Sequence, residues 1–77
     1  MTSGERVRAR RQARRISLRT LAVRATIGRS TLSRIERDVQ EPRGDELERI
    51  AEALGYTMSE FYGEMPPASD SPAPVAG

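Results

Sequence analysis

Apolar residues recur along the chain at the spacing of one face of an α-helix. Two segments repeat the same pattern, with apolar residues at relative positions 0, 3, 4 and 7. They are Leu18, Leu21, Ala22 and Ala25, followed by Leu47, Ile50, Ala51 and Leu54. No segment alternates apolar and polar residues with the period of two that a half-buried strand requires. The pattern therefore predicts an all-α fold.

Capping residues and breaks divide the chain into about five short helices. The hydroxyl of Ser17 is suited to accept a hydrogen bond from the N–H of Thr20 and so to begin the second helix. Gly55 is suited to end the fourth helix, and the sequence TMSE at 57–60 is typical of a capping box. We expect four helices near 5–14, 18–25, 29–37 and 45–54, and a short fifth helix that carries Met58, Phe61 and Tyr62.

The domain is expected to be a compact bundle formed by residues 3–65. Residues 66–77 contain four of the five prolines and few residues able to pack, so we expect them to form a disordered tail. The chain has neither a long apolar run nor the apolar segment of a signal peptide, which predicts no membrane span and a cytoplasmic location.

Charge is divided unevenly between the two halves. Residues 1–37 contain 11 of the 13 basic residues and two acidic ones, a formal charge of +9. Residues 38–77 contain two basic and nine acidic residues, a formal charge of −7. All of the basic residues are arginine. A strongly basic half on a small domain favours binding to a phosphate backbone.

Two charged residues share a helix face with the predicted core. Arg11 follows Val7 by four positions, and Glu36 follows Leu32 by four positions. Glu36 has no basic residue three or four positions away, so a buried carboxylate there needs a distant partner. We expect a partly buried Arg11–Glu36 ion pair that joins the first helix to the third.

The second and third helices are separated by the short break TIG at 26–28, an arrangement typical of a helix-turn-helix. If Leu32 and Ile35 face the core, a polar face remains on the third helix. The residues of that face suit base edges in the major groove, since arginine can bind guanine with two hydrogen bonds and serine can donate or accept. They are Arg29, Ser30, Ser33 and Arg34.

Residues 4–63 resemble the lambda-repressor/Cro-type, or XRE-like, helix-turn-helix domain. The resemblance is carried by SLRTLA (17–22), RSTLSRIER (29–37) and ELERIAEALG (46–55). It implies a five-helix DNA-binding domain, commonly dimeric, that regulates transcription. It assigns base contacts to Arg29, Ser30, Ser33 and Arg34, and phosphate contacts to Arg19, Thr31, Arg37 and Arg43. It also implies the pairing of Arg11 with Glu36.

The chain departs from the family pattern at the ends of its helices. At the turn, Thr26 stands where a glycine is usual, and Gly28 stands where a capping serine is usual. A non-glycine residue at positive φ costs about 1 kcal/mol, whereas glycine as an N-cap costs only a few tenths. Arg15 and Asp38 replace glycines after the first and third helices, and Arg10 replaces a leucine. Arg10 and Arg15 are expected to add positive charge to the half nearest DNA.

The predicted function is that of a sequence-specific regulator of double-stranded DNA, most simply a repressor that acts as a homodimer on a two-fold symmetric operator. The third helix, near 29–37, would lie in the major groove, and the chain would be nucleoid-associated when bound to DNA. Tyr56, Met58 and Tyr62 are candidates for the dimer interface, although core packing is an alternative for Met58 and Tyr62. A second hypothesis is an antitoxin-like module that masks a partner protein through its acidic half and binds DNA secondarily. With no cysteine, histidine or glycine-rich phosphate loop, the sequence predicts no enzyme, metal site or cofactor.

Overall fold

Five helices account for the fold of the computed structural model, which describes residues 1–63. They are α1 (Ser3–Ala13), α2 (Leu18–Ala25), α3 (Arg29–Glu36), α4 (Gly44–Leu54) and α5 (Met58–Tyr62). The described residues contain no strand, so the prediction of an all-α bundle is confirmed. None of these helices is long and apolar enough to cross a membrane. The predicted tail at 66–77 lies outside the described residues.

Side-chain caps set the helix boundaries. Ser17 Oγ accepts a hydrogen bond of 3.1 Å from the N–H of Thr20, as predicted. The capping box of α5 is also present, with Thr57 and Glu60 each accepting from the other's backbone N–H at 3.0 and 2.9 Å. The first helix starts two residues earlier than predicted, because Thr2 and Glu5 form a further capping box.

Each helix contributes at least one large side chain to the core. The fully buried apolar side chains are Val7, Leu21, Leu32, Ile35, Ile50 and Phe61. Burying one such side chain contributes about 1.5–3 kcal/mol to folding. The second helix packs against α3 and α4, while α1 packs against α3, α4 and α5. As a result, α3 is held between α1 on one side and α2 on the other.

Arg10 is buried. The expectation that it adds positive charge to the half nearest DNA was therefore wrong. Only 2% of Arg10 is exposed. Its guanidinium donates to the carbonyl oxygens of Glu60 and Phe61 at 3.1 and 2.9 Å, and also to that of Gly63. The last carbonyls of a helix have no partner within the helix, and one guanidinium can satisfy several of them. Arg10 therefore fastens the end of α5 to α1.

Arg11 and Glu36 form the ion pair that the helical spacing predicts. Arg11 Nε lies 2.7 Å from Glu36 Oε2, and Nη2 lies 2.9 Å from Oε1. The two side chains are 15% and 6% exposed. The hydrogen bonds to Glu36 raise the pKa of Arg11, and its remaining Nη1 donates to the carbonyl of Ile16 at 3.0 Å. The pair joins the last turn of α1 to the end of α3.

The N-terminal turn of α1 also contacts the end of α3. A Cβ atom added at Gly4 would lie 2.0 Å from the carbonyl oxygen of Ile35, so only glycine allows this approach. Thr2 Oγ1 donates to Asp38 Oδ2 at 2.9 Å. These contacts and the ion pair fix α3 against α1 at several points along its C-terminal half.

Replacing Glu36 with alanine should lower the free energy of unfolding by about 3 kcal/mol, because the substitution leaves a partly buried guanidinium without its carboxylate. Urea denaturation measures the change. Glu48→Ala, at an exposed acid of α4, is the control and should alter stability by less than about 0.5 kcal/mol. A loss below about 0.5 kcal/mol for Glu36→Ala would contradict a buried pair.

Candidate nucleic-acid interface

The turn between α2 and α3 has the geometry expected from its unusual residues. Thr26 ends α2 in the left-handed region, with φ 57° and ψ 48°. Ile27 is buried, and its N–H donates to the carbonyl of Ala22 at 2.9 Å. Gly28 precedes α3 and supplies no side-chain cap. The positive φ and the N-cap thus fall at Thr26 and Gly28, as the sequence indicated.

The third helix has a buried face and a polar face. Leu32, Ile35 and Glu36 are buried. On the opposite side, Arg29 and Ser30 are exposed, and neither makes a side-chain hydrogen bond within residues 1–63. The start of α3 therefore offers donors and acceptors that the rest of the described chain does not use.

The remaining polar residues of α3 are hydrogen-bonded to one another or to the following loop. Arg34 is half-buried, and its Nε donates to Gln40 Oε1 at 3.0 Å. Its Nη2 donates to Thr31 Oγ1 at 3.4 Å. Arg37 Nε donates to Ser33 Oγ at 3.3 Å. Sequence reasoning missed Gln40, because a loop residue carries no periodic signal.

The two predicted phosphate-contacting arginines outside α3 have different surroundings. Arg19 is exposed in the first turn of α2 and makes no side-chain hydrogen bond among the described residues. Arg43 instead donates to both carboxylate oxygens of Asp45, at 3.0 and 3.1 Å. This interaction lowers the pKa of Asp45 to about 2. The positive charge of Arg43 is therefore partly neutralised by Asp45.

An open cleft of about 310 Å³ lies beside α3, where α1 and the start of α2 meet it. Its lining residues are Arg8, Leu18, Ser33, Arg37 and the paired Arg11 and Glu36. Because Glu36 neutralises Arg11, the exposed arginines Arg8 and Arg37 provide the excess positive charge. The cleft is chemically suited to an anionic group such as a phosphate.

A family model described as helix-turn-helix matches residues 7–61, which span all five helices in whole or in part. The chain belongs to the helix-turn-helix family. This family consists of DNA-binding transcription regulators, so the chain is a DNA-binding domain and not an enzyme.

Curated proteins of similar sequence include the immunity repressor protein of Bacillus phage phi105. It is 42% identical over 64 residues, which are 83% of this chain and 44% of the repressor. An uncharacterized HTH-type transcriptional regulator of Mycobacterium tuberculosis, MT0491, is 34% identical over 59 residues, or 77% of this chain and 42% of its own length. The chain thus spans less than half the length of these relatives.

Two solved helix-turn-helix structures have the same fold. The restriction-modification controller protein C.AhdI from Aeromonas hydrophila superposes with a TM-score of 0.72 and 29% identity, over 77% of this chain and 89% of that one. A structure of the SinR protein/SinI protein complex gives a TM-score of 0.70 and 32% identity, over 79% of this chain and 60% of that one.

Three helices of this helix-turn-helix domain are followed by a non-glycine residue at positive φ. Arg15, Thr26 and Asp38 have φ values of 57°, 57° and 63°, at the positions where the sequence departs from the family's glycines. At the turn, Arg49 of α4 donates to the carbonyl of Thr26 at 3.3 Å. This bond, which sequence reasoning also missed, ties the strained turn to the core helix behind it.

The predicted dimer-interface residues differ in exposure. Tyr56 is half-buried, with the guanidinium carbon of Arg14 lying 4.2 Å from its ring centre. Met58 packs against the core. Tyr62 is 47% exposed, and its ring meets that of Phe61 edge-on at 5.2 Å. Among the three, Tyr62 therefore presents the most surface to a second molecule.

Thr26→Gly should raise the free energy of unfolding by about 1 kcal/mol, because glycine adopts positive φ without a Cβ clash. The Thr26 side chain makes no hydrogen bond within residues 1–63, so the substitution removes none. Thr26→Ala is the matched control, because alanine retains the Cβ atom and should give little of this gain. Equal stability of the two variants in urea denaturation would contradict strain at the turn.

Proposed function

We propose that this chain is the DNA-binding domain of a transcriptional repressor that binds a two-fold symmetric operator as a homodimer. In this proposal, α3 lies in the major groove, and α2 crosses the backbone beside it. The observation that carries the proposal is the exposed start of α3. The side chains of Arg29 and Ser30 make no hydrogen bond among the described residues, while the buried face of the same helix is fixed to α1 and α2.

Base contacts are assigned to Arg29, Ser30, Ser33 and Arg34. The chemistry supports Arg29 and Arg34 for guanine, whose O6 and N7 accept two parallel hydrogen bonds. Ser30 is free to donate or accept, whereas Ser33 already accepts a bond from Arg37 and retains its own hydroxyl proton to donate.

Phosphate contacts are assigned to Arg19, Thr31, Arg37 and Arg43. The positive cleft beside α3 supports this assignment for Arg37, which lines it. Thr31 accepts from Arg34 and can still donate its proton to a phosphate oxygen. The pairing of Arg43 with Asp45 makes it the weakest member of the set, because binding a phosphate requires it to loosen that pair.

Repression and dimerisation are supported by different observations. The similarity to a phage immunity repressor favours repression over activation. Exposure of Tyr62 on α5 supports a second copy as the partner, with Tyr56 and Met58 beside it in the interface. A two-fold dimer would place its half-sites about one helical turn, roughly 34 Å, apart.

Selection of bound sequences from a random DNA pool at moderate salt tests the proposal. An inverted repeat with half-sites about one turn apart would support both specificity and dimerisation. Recovery of sequences without a shared motif would contradict sequence-specific binding, and a single unrepeated motif would contradict the dimer.

Arg29→Ala should weaken binding to the selected operator by about 1–3 kcal/mol and relax the preference at one base pair. Arg37→Ala is the comparison. It should weaken binding to all sequences about equally and reduce the salt dependence by about one phosphate contact. Fluorescence anisotropy with operator and scrambled duplexes measures the affinity of each variant. An equal loss on the two duplexes for Arg29→Ala would indicate phosphate binding instead.

A further inference from the structure

The guanidinium of Arg34 is held in place before any DNA is bound. Its Nε donates to Gln40 Oε1 at 3.0 Å, and its Nη2 donates to Thr31 Oγ1 at 3.4 Å. All three residues are half-buried. By contrast, Arg29 is exposed and has no such partners within the described residues. The two arginines assigned to bases therefore differ in how far their side chains are ordered.

The two hydrogen bonds use one edge of the guanidinium and leave another edge available. A guanidinium has five N–H donors in a rigid planar fork. Its lateral edge, made by Nε and Nη2, is directed at Gln40 and Thr31. The terminal edge, made by Nη1 and the second hydrogen of Nη2, keeps two parallel donors. Two parallel donors match the O6 and N7 acceptors of a guanine.

Gln40 itself is fixed to the backbone of the residue it holds. The carbonyl of Arg34 accepts hydrogen bonds from the N–H groups of Val39 and Gln40, at 2.9 and 3.3 Å. This return of the chain follows Asp38, which adopts a positive φ of 63°. Gln40 thus reaches back from the loop to α3 with both its backbone and its side chain, which fixes its carboxamide oxygen relative to Arg34.

We propose that Gln40 is a positioning residue through which Arg34 reads one guanine of the operator. This inference rests on the proposed placement of α3 in the major groove. Gln40 needs no contact with DNA for this role. It restrains the Arg34 side chain while leaving Nη1 without a partner among the described residues, so less conformational freedom is lost on binding. Ordering an unrestrained long side chain weakens binding by about 2- to 13-fold.

The test measures binding of the full chain to the selected operator and to duplexes with each other base at the guanine assigned to Arg34. Gln40→Ala should reduce discrimination for guanine there by about three- to tenfold and leave discrimination at the Arg29 base pair unchanged. Gln40→Glu keeps the acceptor oxygen. It should retain the guanine discrimination even if its charge lowers affinity for all duplexes. Gln12→Ala, at an exposed glutamine of α1, is the matched control. It should change neither the discrimination at the Arg34 guanine nor that at the Arg29 base pair.

A double-mutant cycle separates this inference from the proposed function. Arg34→Ala should abolish the preference at one base pair, and adding Gln40→Ala should then cause no further loss of discrimination. If Arg34→Ala leaves every base preference intact, the assignment of Arg34 in the proposed function is wrong. If Arg34→Ala abolishes a preference that Gln40→Ala retains, only the positioning role is overturned. A uniform loss on all duplexes for Gln40→Ala, or additive losses in the cycle, would also overturn it.

Discussion

The orientation of α3 depends on the ion pair between Arg11 and Glu36. Both oxygens of the carboxylate are engaged at 2.7 and 2.9 Å, and neither side chain is much exposed. A small domain has few apolar residues with which to fix a short helix at a defined angle. A two-pronged polar contact adds directionality that apolar burial lacks, because hydrogen bonds weaken steeply when they are misaligned. The close approach at Gly4 adds a second constraint at the end of the same helix.

Some arginines of this chain stabilise the fold, and others are left exposed on its surface. Arg10 donates to the end of α5, and Arg49 donates to the end of α2. In both cases the guanidinium meets carbonyl groups that a helix leaves unpaired, where its positive charge also suits the helix dipole. Within the basic half, Arg10 is buried and Arg11 is paired with Glu36, so the total charge of that half overstates the charge available to DNA. Exposed residues such as Arg19 and Arg29 are the better measure of that charge.

Strain is concentrated at the ends of the first three helices. Arg15, Thr26 and Asp38 each hold a positive φ without glycine, at a cost of about 1 kcal/mol apiece. Such costs persist only where the surroundings hold the backbone in place. At Thr26 this is done by the bond from Arg49, and at Asp38 by the bond from Thr2. The bends themselves direct the chain into the turn before α3 and into the loop that carries Gln40.

The sequence by itself determined the helices and their inward faces, because helical spacing and caps are local properties. It also indicated the Arg11–Glu36 pair, since an acid on a core face without a local partner requires a distant one. Only the tertiary structure decided which arginines are buried. Arg10 meets carbonyls 50 or more positions away along the chain, and Gln40 meets Arg34 through a loop without periodicity. Such contacts depend on how the ends of different helices are brought together, and spacing along one helix cannot encode that.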